Sequence, residues 1–199
     1  MLKSENAIFS MIEILKYWDT QAFLFLNEKH NAFWDFVMFW TSDKLIWIPL
    51  YVFFIFLIYK YYRKNTLWVL LATVLLISLS DLISVHLFKN VFLRLRPCHE
   101  PQLEGLIHLV NSKCGGQYGF ISSHATNHFA IATFLSVLLG NKIKYFSFLI
   151  LLWALVISYS RIYLGVHYPG DVLGGIVIGS VIGFGMGLVT KKLLKKQEV

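Results

Sequence analysis

Three cations (Lys89, Arg96, Arg161), two imidazoles (His124, His167) and one carboxylate (Asp171) stand at or near the ends of apolar runs. Those are parts for handling a phosphate. A neutral imidazole nitrogen can attack phosphorus, while a carboxylate on the other ring nitrogen fixes the tautomer and stabilises the cation that forms. The spacing from His167 to Asp171, with Pro169 and Gly170 between, allows that contact across a helix-entry turn. Two histidines permit a division of labour in which one attacks and the other protonates the departing oxygen and later activates water. Lys89 and Arg96 are seven residues apart, so on a continuing helix they would differ by only ~20° in direction and ~10 Å in height. Their side chains can then converge on one anion. The run Gly119-Phe-Ile-Ser-Ser-His124 leads directly into an apolar stretch. Ser122 or Ser123 can cap the helix there, and the free amides of its first turn favour an anion beside His124.

Each feature has a plainer alternative. Lys89, Arg94 and Arg96 could be ordinary interfacial cations, Ser122-Ser123 only a cap, and His124 only structural. Outer loops tend to be poor in Lys and Arg, however, so a cation cluster there asks for a reason. Asp81 and His86 lie within an apolar run, where a buried carboxylate is expensive unless hydrogen-bonded, and Asp81 is read as structural. His128 follows His124 by one turn, but the glutamate of a zinc hydrolase motif is absent and cations crowd the site, so no metal is expected. Pro49 tunes the start of its helix.

The elements that must position these residues follow from composition. With 57% hydrophobic and 17% aromatic residues in 199, the chain carries more apolar surface than a soluble core of this size can bury. Several runs approach the ~20 apolar residues that cross a bilayer as a helix, and none alternates with the period of a barrel strand. An all-α integral membrane protein is expected, with about five transmembrane helices near 45–62, 67–88, 120–139, 145–162 and 172–189, plus N-terminal interfacial helices. Residues 1–43 form the amphipathic N-terminal segment and residues 44–199 the transmembrane domain. In that segment Ile8, Met11, Ile12, Leu15, Trp18, Ala22 and Leu26 recur at helical spacing, with Glu5, Glu13, Lys16 and Asp19 on the remainder. The acids argue against a signal peptide. A tilted sixth crossing over 22–40 is the alternative for its second half. The formal charge of +7 reports topology, not nucleic acid, because the basic patches 59–64, 141–144 and 191–196 are separated by pairs of crossings. All three can lie in the cytoplasm, which puts 89–119 and 161–171, and every candidate residue, on the outer side. Gly175, Gly179, Gly183 and Gly187 make a bare stripe for close packing inside the monomer, with a homodimer seam as the alternative.

The order Lys89…Arg96-Pro97, then Ser122-Ser123-His124, then Arg161…His167…Asp171 resembles the three-part signature of the type 2 phosphatidic acid phosphatase superfamily. The resemblance covers roughly 67–189. It implies a metal-independent, cofactor-free membrane lipid phosphatase in which His167 forms a phosphohistidine, Asp171 orients it, and His124 serves the leaving group and then water. Lys89, Arg96, Arg161, Ser122 and the Ser123 amide would hold the phosphoryl oxygens. Where the family has Pro-Ser-Gly-His, this chain reads Ile121-Ser122-Ser123-His124, which places a side chain beside the phosphate. Undecaprenyl diphosphate, phosphatidylglycerol phosphate, phosphatidate and lipid A phosphates are candidate substrates in a bacterial inner membrane, with the first favoured. A non-catalytic protein that binds or moves anionic lipids would use the same cations but would not need His167 paired with Asp171. Cys98 and Cys114 are the two cysteines of the chain. A disulfide between them would close a loop of about 17 residues, worth up to about 3 kcal/mol by chain entropy. The alternative is two free buried thiols.

Overall fold

Apolar length and helix punctuation account for the element order in the computed structural model, which describes the backbone of residues 2–196 and the side chains of 10–196. The side chains of Glu5 and Ile8 lie outside the described residues. Helix α1 (Leu2–Asn27) ends where Asn27 turns inward, its amide donating to the carbonyls of His108 (3.0 Å) and Tyr163 (2.9 Å). After a break, Asn31 caps α2 (Ala32–Ser42) by accepting from the Trp34 amide at 3.0 Å. That break excludes a continuous sixth crossing over 22–40. Pro49 sits in the first turn of α3 (Ile48–Tyr62), where its missing N–H costs nothing. At Arg63 (φ 41°) the chain reverses into α4 (Thr66–Leu82), which continues as a π-helical segment, Ile83–Lys89, and a last turn, Asn90–Phe92. After a long loop come α5 (Ser123–Leu139), α6 (Phe146–Tyr163) and α7 (Pro169–Lys196).

Helix α5 is the axis of the bundle. Ten of its residues are buried, among them Ala125, Ala130, Phe134 and Leu138, while its neighbours turn Leu67, Leu71, Phe148, Leu149, Val177 and Val181 outward. Burial in the middle and apolar residues on the outside is the pattern of a protein whose solvent is hydrocarbon. Among the described residues three helical runs are long and apolar enough to cross a membrane: Ile48–Phe92, Phe146–Tyr163 and Pro169–Lys196. The first is folded on itself at Arg63, so Ile58 and Leu70, and further along Ile55 and Val74, line one cavity from both arms.

The glycine stripe sets how α7 meets α5. A Cβ on Gly175 would lie 2.7 Å from the Ser122 carbonyl, and one on Gly187 would lie 2.8 Å from Val137 Cβ. Gly179 and Gly183 face Thr126 and Ala130 in the same register. The stripe is therefore filled within the monomer. Because both residue numbers rise together, α5 and α7 run parallel, and their N-termini share one end of the bundle.

The N-terminal helix turns an apolar set outward and part of its polar set inward. Met11, Ile12, Leu15 and Trp18 face outward, whereas Asp19, Phe23, Leu24 and Asn27 face the protein. Glu13 and Lys16 stay exposed as an ion pair at 3.0 Å, whereas Asp19 and Asn27 find partners inside.

Candidate active site

His167 is positioned by a short reversal between α6 and α7. Gly165 has φ 79°, and a Cβ there would sit 2.6 Å from the His108 carbonyl. The turn lets the amides of Val166 and His167 both donate to the Arg161 carbonyl at 3.2 Å. His167 is 1% exposed and Asp171 0%. His167 Nδ1 lies 3.3 Å from Asp171 Oδ2, and its Nε2 lies 3.2 Å from Arg96 Nη1. A guanidinium can only donate, so Nε2 is the acceptor and Nδ1 carries the proton given to Asp171. The ring thus presents an unprotonated nitrogen among cations. Burial, then the charges of Arg96, Arg161 and Lys89, hold His167 well below the ordinary imidazole range and keep it neutral.

Asp171 is itself fixed from three sides. Its Oδ2 also accepts from the Tyr168 amide at 3.1 Å, and its Oδ1 accepts from Arg94 Nη1 at 3.0 Å. The Arg94 guanidinium lies 4.1 Å over the Tyr168 ring, and its Nη2 donates to Asp19 Oδ2 at 2.7 Å. Asp19 Oδ1 accepts from the Gly170 amide at 2.7 Å. Sequence reasoning missed both residues in this role, counting Asp19 with the solvent-facing polar set and Arg94 with the loop cations. A signal for Arg94 existed in its place two residues before Arg96. None existed for Asp19.

The cations arrive by different routes. Helix α4 does not continue to Arg96, as seven-residue spacing invited, because Leu93 takes a left-handed conformation and ends it. Arg96 is placed instead by its loop, where its amide donates to Gln117 O (3.1 Å) and Gly119 N donates to Arg94 O (2.8 Å). Cys98 and Cys114 are joined there, with Cα atoms 5.9 Å apart. Lys89 comes from the π-helical segment, whose wider turn re-aims it, and its Nζ donates to Ser123 Oγ at 2.6 Å. Ser84 Oγ lies 2.7 Å from the same hydroxyl. The side chain that replaces the family glycine therefore engages a cation and a second hydroxyl. Arg161 donates to Ser42 Oγ. Neither serine caps α5 through its side chain. Instead Ser122 Oγ is buried without a partner among the described residues, as are Arg96 Nε and Arg161 Nε. Unsatisfied polar groups of this kind are costly, and an anion bearing several oxygens would satisfy them.

His124, in the first turn of α5, makes no side-chain hydrogen bond among the described residues. It borders a cavity of about 690 Å³ between α3, α4 and α5 whose walls include Phe54, Ile55, Ile58, Val74 and Ile77. Asp81 also lines that cavity and is not buried; its Oδ1 accepts from Asn127 Nδ2 at 3.4 Å. His128 Nδ1 donates to the His124 carbonyl at 2.7 Å, and its Nε2 lies 3.5 Å from Tyr51 OH.

A neutral, carboxylate-backed histidine among cations, at one end of a bundle that faces hydrocarbon, belongs to a membrane hydrolase that removes phosphate from lipids. The PAP2 superfamily model matches residues 66–195, and the chain belongs to that family. A lipid A 4'-phosphatase of Bacteroides thetaiotaomicron is 38% identical over 190 residues, covering 94% of this chain and 84% of that one. An undecaprenyl-diphosphatase of Sulfolobus acidocaldarius is 31% identical over 141 residues, covering 71% and 62%. The crystal structure of a PAP2 type phosphatidylglycerolphosphate phosphatase from Bacillus subtilis superposes with a TM-score of 0.66 at 24% identity, covering 90% of this chain and 87% of that one, and shares the fold.

Proposed function

We propose that this chain removes a phosphate monoester from a lipid A-type saccharolipid through a phosphohistidine on His167. His167 Nε2 attacks phosphorus as the bond to the sugar oxygen breaks, and His124 gives that oxygen its proton. Water then attacks the phosphohistidine, His124 takes its proton, and inorganic phosphate leaves. Lys89, Arg96, Arg161, Ser122 and the Ser123 amide hold the phosphoryl oxygens, so developing charge meets donors already in place. The observation that carries the mechanism is the division of the His167 ring, with Nδ1 on Asp171 and Nε2 toward Arg96. The substrate rests on similarity to the Bacteroides protein along nearly the whole chain. The more distant likeness to an undecaprenyl-diphosphatase moves that diphosphate behind lipid A.

Charge placement supports a bacterial inner-membrane setting with the site on the outer side and the C-terminus in the cytoplasm. A single cysteine introduced at Lys195 should resist impermeant thiol reagents in intact cells, and labelling from outside would reverse the orientation. The substrate is tested by phosphate release from purified protein given lipid A bisphosphate, undecaprenyl diphosphate, phosphatidylglycerol phosphate and phosphatidate. A kcat/KM at least about tenfold higher for lipid A is expected, a gap of about 1.4 kcal/mol in transition-state binding. A higher value for undecaprenyl diphosphate would restore the other assignment.

A further inference from the structure

The shortest ion pair near the site joins two residues outside the three-part motif, Asp19 and Arg94. Asp19 comes from the N-terminal helix and Arg94 from the loop after α4. Together with Asp171 they form a chain of alternating charge that ends on the neutral ring of His167. Asp19 Oδ2 accepts from Arg94 Nη2 at 2.7 Å, Arg94 Nη1 donates to Asp171 Oδ1 at 3.0 Å, and Asp171 Oδ2 faces His167 Nδ1 at 3.3 Å. The two guanidinium nitrogens serve the two carboxylates separately. Side-chain exposures of 16% for Asp19, 22% for Arg94 and 0% for Asp171 keep these charges from full solvent screening.

The geometry of α1 adapts to this contact. Its Asp19 faces the protein while Met11, Leu15 and Trp18 face outward. Phe23 packs edge-on against Tyr168 with centroids 5.4 Å apart, and Asn27 fastens the helix end to the His108 and Tyr163 carbonyls. Gly170 leaves room, since a Cβ there would lie 2.6 Å from Asp19 Oδ2. The same carboxylate thus holds the Gly170 amide, in the turn between His167 and Asp171, and the arginine that grips Asp171.

An arginine bound to Asp171 alone would have two effects. It would hold the carboxylate in place, and its charge would offset the negative field that must stabilise the His167 imidazolium during attack. A second carboxylate on the far side of Arg94 cancels much of that offset. We infer that Asp19, acting through Arg94, is a positioning residue for the nucleophile: it orients Asp171 and preserves the negative charge that Asp171 presents to His167. This rests on His167 being the nucleophile. It makes the N-terminal helix part of the catalytic apparatus.

The test compares full-length wild type with Asp19→Asn, Asp19→Glu, Arg94→Gln and the Asp19→Asn/Arg94→Gln double variant, using lipid A bisphosphate across pH. Asp19→Asn should lower kcat about tenfold, in the range of losses from residues that orient a first-contact group, with KM changed by less than about twofold. Asp19→Glu should recover most of the loss. In the Arg94→Gln background the Asp19→Asn change should add little, because the asparagine carbonyl can still accept from the Gly170 amide and the lost charge acts through Arg94. The acid limb of kcat/KM carries the sign. With Asp19 neutral, Arg94 offsets Asp171 more fully, protonated His167 is less favoured, and its pKa falls, so the limb should move to lower pH while the plateau drops. The substrate's own ionisation is common to both enzymes and cancels in that difference, and the position of the limb does not depend on how much protein is folded. Unchanged kcat, an effect on KM alone, full additivity with Arg94→Gln, or an unmoved acid limb would each overturn the inference. A His167→Ala control separates the two levels: should that variant keep activity, the nucleophile assignment fails first.

Discussion

The two histidines sit in opposite kinds of surroundings. His167 is enclosed, with both ring nitrogens engaged and its carboxylate partner fixed by Tyr168 N and Arg94. His124, on the first turn of α5, has no side-chain hydrogen bond among the described residues and opens on an apolar cavity of about 690 Å³. The contrast suits the two tasks proposed for them. A nucleophile must present one tautomer along one line, which favours over-determination, whereas the group that protonates a lipid oxygen must meet a leaving group whose position depends on a flexible tail.

Substitutions can break this comparison, beginning with the largest effect. His167→Ala should lower kcat/KM by about 10⁴-fold or more, whatever the leaving group, because among the described residues no other fully enclosed imidazole has a carboxylate behind it. Near-normal phosphate release would end the covalent mechanism. His124→Ala should cost about 10³-fold on a lipid alkoxide leaving group yet far less in the first step with an aryl phosphate whose phenolate leaves unaided, so phosphoenzyme should accumulate. Equal losses on both substrates, measured by stopped-flow release of the phenol, would remove His124 from that role.

Ser123→Gly sharpens the comparison at the boundary between the two histidines. It frees the Lys89 ammonium and Ser84 from the Ser123 hydroxyl. A several-fold change in KM for the phosphate substrate with a smaller change in kcat is expected from steady-state kinetics. A loss confined to kcat would point to Ser123 in the chemical step. EDTA should change activity by less than about twofold, since Lys89, Arg96 and Arg161 supply the charge that Mg²⁺ provides elsewhere. Restoration by Mg²⁺ after loss in EDTA would withdraw that assignment, and vanadate should inhibit by occupying the phosphoryl position.

What could be read in the sequence divides along the same line. His167 and Asp171 were legible because their partnership is local, four residues across a Pro-Gly turn. The helical class was legible from run length, since hydrocarbon thickness dictates it. Arg94 with Asp19 was not, because they lie 75 residues apart and meet only once α1 has packed against the bundle. Periodicity offered no help there: Asp19 shares the polar set with Glu13 and Lys16, which stay exposed, and nothing local marks the one acid that turns inward. The route of Arg96 was missed for a smaller reason, the left-handed Leu93 that ends α4 one residue after Phe92. No property of leucine announces such a turn.

The central claim is a phosphohistidine on His167. The most direct measurement is rapid-quench trapping of ³²P from labelled lipid A bisphosphate on wild type and His124→Ala, held at alkaline pH, with the labelled peptide located by tandem mass spectrometry. The expected result is an acid-labile, base-stable phosphoryl group on His167, more abundant in His124→Ala. Label on a serine or on another histidine, or turnover in wild type with no phosphoenzyme in either protein, would contradict it.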